Sequence, residues 1–77
     1  MTVEKAFGKV LKKYRKERKF SQEYLAFECD LHRNYIGMLE RGEKSPTLAT
    51  VFLIAKTLNV EVEDLIKEVA QVYRDIK

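Results

Sequence analysis

Apolar residues recur at helical spacing in the first part of the chain. Between Thr2 and Arg18 they fall every three or four residues along one stripe, and most of the lysines and arginines lie off it. Such a stripe predicts an amphipathic helix that faces a core. Thr2 is suited to cap this helix, because its hydroxyl can accept a hydrogen bond from the first turn. The stripe consists of Ala6, Phe7, Val10, Leu11 and Tyr14.

The same spacing predicts two short helices next along the chain. Ser21 can cap a helix over residues 22–29, and a second helix follows over residues 33–41. Gly42 comes directly after that helix, where glycine supplies the left-handed backbone that ends many helices. The segment between the two helices is only three residues long, so it is predicted to be a tight turn.

A fourth helix is predicted over residues 48–58. Thr47 can cap its start, and Asn59 follows its end as the alternative to glycine in a left-handed stop. Its predicted core set is Leu48, Val51, Ile54, Ala55 and Leu58.

A fifth helix is predicted over residues 61–76, and its apolar stripe is long. One small core cannot cover the whole stripe, although part of the stripe can close that core. An exposed apolar stripe would promote aggregation, so a two-fold dimer interface is the favoured interpretation. The predicted interface residues are Leu65, Ile66, Val69, Tyr73 and Ile76.

Size and composition narrow the class of protein. The 77 residues correspond to one small domain, and 45% hydrophobic with 35% charged residues excludes a disordered or fibrous chain. The single cysteine, Cys29, excludes an intrachain disulfide and fits a reducing compartment. The longest apolar run, Val51 to Ala55, is too short to span a membrane, so we expect a cytoplasmic protein.

Residue types that carry catalysis or bind metals are not grouped in the sequence. His32 is the only histidine, and Cys29, three residues earlier, shares a predicted core face with Leu25 and Ala26. Zinc sites need several such ligands at set spacings. The sequence also has no Ser/His/Asp arrangement and no phosphate-binding glycine loop. We therefore expect no metal, no cofactor, no small-molecule ligand and no enzymatic activity.

Positive charge is concentrated at the start of the chain. Residues 1–20 hold eight basic and two acidic residues, whereas residues 21–77 hold seven basic and ten acidic ones. A basic front end suggests a polyanionic partner. A solvated helix face is an equally good explanation of the charge alone.

Two short helices joined by a tight turn form a helix-turn-helix pattern. In this unit the second helix enters the DNA major groove and presents side chains to base edges. Its predicted outer face suits that task, because Arg33 can pair with guanine and Asn34 with adenine. Gly37 would allow a close approach of the backbone, and Met38 could contact a thymine methyl group.

The stretch from Ser21 to Leu65 resembles the phage-repressor/Cro (XRE-type) helix-turn-helix family. The resemblance rests on SQEYLA, on YIGMLERGEKSPTL and, for the first helix, on LKKYRKERKFS. The segment LHRNYIGMLERGE also resembles small controller proteins of restriction–modification systems. The resemblance implies an all-α, compact, lambda-repressor-like domain of five helices over residues 1–77, with the helix-turn-helix unit at about 21–41. It also implies a homodimeric transcriptional regulator that binds a pseudo-palindromic DNA site.

The same resemblance implies roles for individual residues. An ion pair between Arg15 and Glu40 would tie the first helix to the recognition helix. Positions that contact phosphate in the family, partly through the loop after the recognition helix, are matched by Gln22, Arg41, Gly42 and Lys44. Positions that face base edges or nearby phosphates are matched by His32, Arg33, Asn34, Gly37 and Met38.

Three residues depart from the family pattern. Asp30 stands where glycine is usual in the turn, and aspartate tolerates the left-handed region better than most residues. His32 stands where serine or threonine usually caps the recognition helix, so we expect a weaker cap and a phosphate or base contact instead. Phe27 stands where polar residues are common, which suggests an extra covered patch or a partner contact.

Three functions remain open at this point. They are a restriction–modification controller, an antitoxin-type autoregulator, and a protein–protein interaction module that has kept the scaffold but lost base reading. The expected partners are duplex DNA, a second copy of the chain and, for an activator, RNA polymerase.

Overall fold

The computed structural model describes residues 1–75, and this part of the chain is all α-helical. In chain order the helices are α1 (Val3–Glu17), α2 (Gln22–Glu28), α3 (Arg33–Glu40), α4 (Leu48–Thr57) and α5 (Val62–Asp75). The predicted fold class is confirmed, and each predicted helix is present within one or two residues of its predicted bounds. None of the described helices is both long enough and apolar enough to cross a membrane.

The predicted polar caps begin three of the helices. The hydroxyl oxygens of Thr2, Ser21 and Thr47 each accept a hydrogen bond from the backbone N–H three residues later, at 3.1, 2.9 and 3.1 Å. Each bond satisfies a donor that the first helical turn leaves free. The chain therefore specifies these helix starts locally.

Left-handed residues end the helices where the sequence predicts them. Asp30 has φ 55°, Asn59 has φ 57° and Gly42 has φ 75°. Lys19, which the sequence analysis did not identify, does the same after α1 with φ 61°. Asp30 thus keeps the turn between α2 and α3 intact in place of glycine.

The helices enclose one apolar core. Helix α1 packs on α5 and on α3, α2 packs on α3, and α4 packs on α5. Cys29 belongs to this core, and burial raises the pKa of its thiol despite a hydrogen bond with Thr57 at 3.3 Å. The buried apolar residues are Ala6, Phe7, Val10, Leu11, Leu25, Ala26, Cys29, Ile36, Leu39, Val51, Ile54, Ala55, Leu58, Leu65 and Val69.

Helix α1 crosses the end of α3 at very close range. A Cβ atom added at Gly8 would lie 2.5 Å from the carbonyl oxygen of Leu39 and 2.6 Å from that of Glu40. Real Cβ atoms do not approach backbone that closely. Gly8 therefore sets the distance between α1 and the recognition helix.

Two apolar residues lie where the sequence analysis did not place them. Leu48, predicted in the core, is 72% exposed, because it starts α4 on the flank beside Phe52 rather than in the buried row. Leu65, predicted in the dimer interface, is completely buried in the core of the single chain, and Val69 is almost so. The interface prediction is therefore wrong for Leu65, which has no surface left to offer a partner.

The outer flank of α5 keeps part of the predicted interface. Ile66 and Tyr73 are about half exposed, and they stand seven residues apart, which places them on one side of the helix. Ile76, the last predicted interface residue, lies outside the described residues.

Candidate nucleic-acid interface

The recognition helix α3 presents a polar face to solvent. Arg33 and Asn34 are exposed in its first turn, and Met38 is half-buried one turn later. The opposite face holds Ile36 and Leu39, which are completely buried. The helix is thus anchored in the core while its first turn stays free for a ligand.

His32 caps this helix with its ring. Its Nδ1 accepts a hydrogen bond from the backbone N–H of Asn34 at 3.1 Å. The expectation that His32 caps poorly needs correction, since an imidazole nitrogen takes the place of the usual hydroxyl. The predicted DNA contact of His32 stays a prediction. When Nδ1 accepts, the ring proton is on Nε2, so only that nitrogen can donate to a DNA group.

A buried ion pair ties α1 to α3. The Nε and Nη2 atoms of Arg15 donate to the carboxylate of Glu40 at 2.6 and 3.1 Å, and Nη1 donates to the carbonyl of Phe20 at 2.7 Å. The two side chains are only 10% and 3% exposed. The pair therefore fixes the end of α3 against α1 and against the loop that leads into α2.

Gln22 joins the same network from α2. Its Nε2 donates to Oε1 of Glu40 at 3.0 Å. Three helices therefore meet at one carboxylate. This bond uses one of the two amide hydrogens of Gln22 and leaves the other for the phosphate contact that the sequence analysis assigned to this residue.

A second ion pair follows directly, at the end of α3. Arg41 donates through Nε and Nη2 to the carboxylate of Glu43 at 2.8 and 3.2 Å. The side chains are 59% and 53% exposed. The hydrogen bond and the positive charge of Arg41 lower the pKa of the Glu43 carboxyl, and the same bond raises the pKa of the Arg41 guanidinium.

The guanidinium of Arg41 lies back over α3. A Cβ atom added at Gly37 would stand 3.0 Å from Nη1 of Arg41 and 3.7 Å from Oε1 of Gln22. The space that Gly37 leaves is therefore used by Arg41. From the sequence, Gly37 was instead expected to let the backbone of the recognition helix come close to DNA.

The predicted contact residues meet around one open cavity of about 570 Å³. It is lined by six of the nine predicted DNA-contacting residues and by one residue, Glu43, that was not among them. The sequence signal for Glu43 is its position two residues after an arginine in Arg-Gly-Glu. The lining residues are Gln22, Arg33, Asn34, Gly37, Met38, Arg41 and Glu43.

The loop after α3 differs from its predicted role in one respect. The N–H of Gly42 donates to the carbonyl of Leu39 at 3.1 Å, and the N–H of Glu43 donates to that of Met38 at 2.9 Å. These bonds close the end of α3. The N–H of Gly42 is therefore already used within the chain, and glycine has no other donor for the phosphate contact that the sequence predicts. Lys44 is exposed beside it.

The start of α1 lies against this loop. A Cβ atom added at Gly42 would be 2.5 Å from Cγ of Lys5. Lys5 therefore brings a further cation to the loop, a position that charge counting along the chain could not locate.

Exposed apolar side chains also lie on α4 and α5, and none of them lines the cavity on α3. We define the α4–α5 surface as Leu48, Phe52, Ile66 and Tyr73, all between about half and three-quarters exposed. Phe52 and Val62 line a shallow depression of about 300 Å³, which joins the two helices. A signal for this surface was present in the sequence, since α4 is apolar nearly all round and such helices are usually covered on every side.

Phe27 is the most exposed large apolar side chain of the described residues. It projects from α2 and lines neither the cavity on α3 nor the depression beside Phe52. Nothing in the structure covers it.

Comparison of the sequence with known proteins finds helix-turn-helix proteins. The family model described as Helix-turn-helix matches residues 11–65. The control protein C.BamHI of Bacillus amyloliquefaciens is 44% identical over 61 residues, which cover 78% of this chain and 75% of that protein. The control protein C.SmaI of Serratia marcescens is 39% identical over 66 residues, covering 86% and 79%.

A solved structure gives the same result in three dimensions. The restriction–modification controller protein C.AhdI from Aeromonas hydrophila superposes with a TM-score of 0.78 at 35% identity. The match covers 80% of this chain and 94% of that protein.

Proposed function

Because the chain belongs to the helix-turn-helix family, we propose that it binds duplex DNA sequence-specifically and regulates transcription. The observation that carries this proposal is the free polar face of α3 above the network of Arg15, Glu40 and Gln22. That network fixes α3 relative to α1 and α2. A reading helix held in this way keeps its side chains in register with base edges.

The proposed contacts follow from what each side chain can donate or accept. Arg33 can donate two parallel hydrogen bonds to guanine, and Asn34 can both donate to and accept from adenine. Met38 offers an apolar contact to a thymine methyl group. Phosphate contacts come from Lys44 and from the free amide hydrogen of Gln22, and they position α3 without carrying sequence information.

A homodimer is the proposed binding form, with the α4–α5 surface as its contact. Leu48 and Phe52 project from α4, and Ile66 and Tyr73 project from α5. A two-fold dimer through this surface buries side chains that a single chain leaves in water. It also presents two α3 helices about 34 Å apart, one turn of DNA, to the two halves of a pseudo-palindromic site.

Within this class we propose a controller of restriction–modification genes that acts on its own promoter. This rests on the three relatives, each of which is named as a control or controller protein. An interaction module that has lost base reading would have no use for a capped, exposed pair of Arg33 and Asn34. The expected location is the cytoplasm, the compartment that holds the DNA of bacteria such as those of the relatives.

Salt dependence tests the DNA-binding class directly. A dimer that makes about 6–10 phosphate contacts loses about 10³–10⁵ in affinity between 50 and 200 mM salt. We expect a slope of this size in fluorescence anisotropy with labelled duplex DNA. Binding that is absent at both salt concentrations would contradict the proposal.

Two matched substitutions test the division of roles. Arg33→Ala should cost about 1–3 kcal/mol on the preferred duplex and relax the preference at one base position. Lys44→Ala should weaken all duplexes by about the same factor. If Arg33→Ala also weakened all duplexes equally, Arg33 would be a phosphate contact.

The sign of regulation needs a separate measurement. Repression requires only that the dimer covers a promoter, whereas activation requires a contact with RNA polymerase. Transcription in vitro from a promoter that carries the preferred site, with and without the protein, distinguishes the two.

A further inference from the structure

In the exposed pair of Arg41 and Glu43, the guanidinium of Arg41 lies back over Gly37 on the recognition helix. We propose that Glu43 is a positioning residue that holds Arg41 as a second guanine-reading arginine beside Arg33. This inference rests on the proposed DNA-binding function and deepens it. It also changes the role of Arg41 from the phosphate contact expected from the sequence to a base contact.

The donors that remain on Arg41 support this role. A guanidinium has five N–H donors in a flat fork. Glu43 takes Nε and one hydrogen of Nη2, which together form the side edge of the fork. The end edge, formed by Nη1 and the other hydrogen of Nη2, stays free. Two parallel N–H groups of this kind match the O6 and N7 acceptors of guanine in the major groove.

The place of the free edge supports base reading rather than phosphate binding. Nη1 lies above Gly37, in the middle of the recognition helix. The cavity beneath it is shared with Arg33, Asn34 and Met38, the residues proposed to face bases.

Glu43 and Gly37 hold this position in complementary ways. The long side chain of a free arginine loses rotamer freedom on binding, and that loss weakens the complex. Glu43 fixes the guanidinium before DNA arrives, and Gly37 leaves the space that it occupies. Because Arg41 lowers the pKa of the Glu43 carboxyl, the carboxylate stays ionised at neutral pH.

This arrangement predicts opposite effects of Glu43 on two kinds of duplex. Its negative charge faces the DNA and repels phosphates on every duplex alike. The hydrogen bonds by which Glu43 holds Arg41 strengthen binding only where a guanine accepts hydrogen bonds from the free edge of the guanidinium. Removing the carboxylate should therefore raise affinity for unrelated DNA and lower discrimination at one base pair.

The test compares Glu43→Gln, Arg41→Ala and the double variant with the unsubstituted protein. The duplexes are the one that the protein selects from a random pool, the same duplex with each single base pair changed, and an unrelated duplex. For Glu43→Gln we expect about a two- to fivefold loss of discrimination at one G·C pair, which is the most that an exposed ion pair contributes by holding Arg41 in place. Affinity for the unrelated duplex should not fall. In the Arg41→Ala background, Glu43→Gln should cause no further loss of discrimination.

Two further variants separate positioning from charge. Arg41→Lys keeps the positive charge but lacks the planar pair of N–H donors of a guanidinium. It should lose as much base discrimination as Arg41→Ala but keep more of the affinity for all duplexes. Glu17→Gln removes an exposed carboxylate at the far end of α1, about 18 Å along the helix from Lys5 and the loop. It should leave discrimination unchanged.

Each contrary result has its own meaning. If Glu43→Gln raised affinity equally for all duplexes, Glu43 would only repel phosphates and the inference would be overturned. If Arg41→Ala weakened all duplexes equally, Arg41 would be a phosphate contact, with the same consequence. If the unsubstituted protein preferred no duplex at all, the proposed function itself would fail, and the inference with it.

Discussion

Two arginine–glutamate pairs stand next to each other at the end of α3, and their surroundings give them different roles. Both ion pairs are bidentate: two nitrogens of Arg15 donate to the carboxylate of Glu40, and two of Arg41 donate to that of Glu43. The first pair is almost completely buried, whereas both partners of the second are more than half exposed. The same chemistry therefore serves stability in the buried pair and, in the role that we propose, DNA recognition in the exposed pair.

Burial decides the difference because it removes water as an alternative partner. The carboxylate of Glu40 accepts bonds from Arg15 and Gln22, and Arg15 also bonds to the carbonyl of Phe20, so none of these charges is left uncompensated. Removing one partner would leave a buried charge alone. In the exposed pair water replaces a lost partner, so such a pair contributes little to the free energy of unfolding.

The largest expected effect is the loss of the buried pair. Glu40→Ala should lower the free energy of unfolding by about 3–5 kcal/mol, because it leaves the guanidinium of Arg15 buried without its counter-charge. That is a large part of the stability of a domain this size. Urea unfolding followed by circular dichroism measures it. Glu43→Gln is the matched control and should leave the free energy of unfolding nearly unchanged. Similar losses for both variants would contradict the assignment of stability to the buried pair.

The next largest effect on stability should come from the distance between α1 and α3, which Gly8 sets and which brings Arg15 and Glu40 together. Gly8→Ala places a Cβ within 2.6 Å of two backbone oxygens of α3, so α1 must shift and Arg15 must shift with it. We expect a loss of about 1–3 kcal/mol from overpacking, which exceeds the helix-propensity gain of about 1 kcal/mol. Thermal unfolding checks this. A variant as stable as the parent would show that α1 and α3 can move apart at no cost.

A glycine-to-alanine substitution beside the exposed pair should have the opposite effect on stability to Gly8→Ala. An added Cβ at Gly37 comes close only to the side-chain ends of Arg41 and Gln22, not to backbone, so the gain in helix propensity should raise stability by up to about 1 kcal/mol. The added methyl group should also push Arg41 off α3 and weaken base discrimination. Calorimetry and duplex titrations together test both halves. If Gly37→Ala kept full base discrimination, base reading by Arg41 would not depend on the position of its guanidinium over residue 37.

The smallest effect is the pH dependence of the exposed pair. The pKa of Glu43 in the folded chain lies below the 4.5 of a free glutamate, so its contribution to stability is present above that value. The contribution is lost as the pH falls through the lowered pKa, where the carboxyl becomes protonated. An NMR titration of the side-chain carboxyl carbon measures this pKa, and Arg41→Ala should return it toward 4.5. An unshifted value in the unsubstituted protein would mean that the pair does not form in solution.

Local features of the fold could be predicted from the sequence. The caps at Thr2, Ser21 and Thr47 act within three residues, and the stops at Asp30, Gly42 and Asn59 depend on backbone preference alone. The resemblance to known regulators supplied what local rules could not, namely how the helices pack together and which face of α3 is expected to meet DNA.

Features that depend on distance in three dimensions could not be predicted. Leu65 and Ile66 are neighbours in one apolar stripe, yet one is buried and the other half exposed, because only the packing of α1 and α4 decides which flank is covered. The place of Arg41 over Gly37 depends on a side-chain rotamer, which no spacing rule specifies. The ring cap of His32 was missed because caps are expected to be hydroxyls, carboxylates or amides.

The proposed function requires α3 to read DNA sequence as one half of a two-fold dimer. This requirement is tested by selection from a random pool of duplex DNA at near-physiological salt, followed by sequencing of the bound fraction. We expect enrichment of an inverted repeat whose half-site centres are about one helical turn apart, with a G·C pair in each half. Enrichment of a single half-site would contradict the dimer, and no enrichment at all would contradict sequence reading by α3.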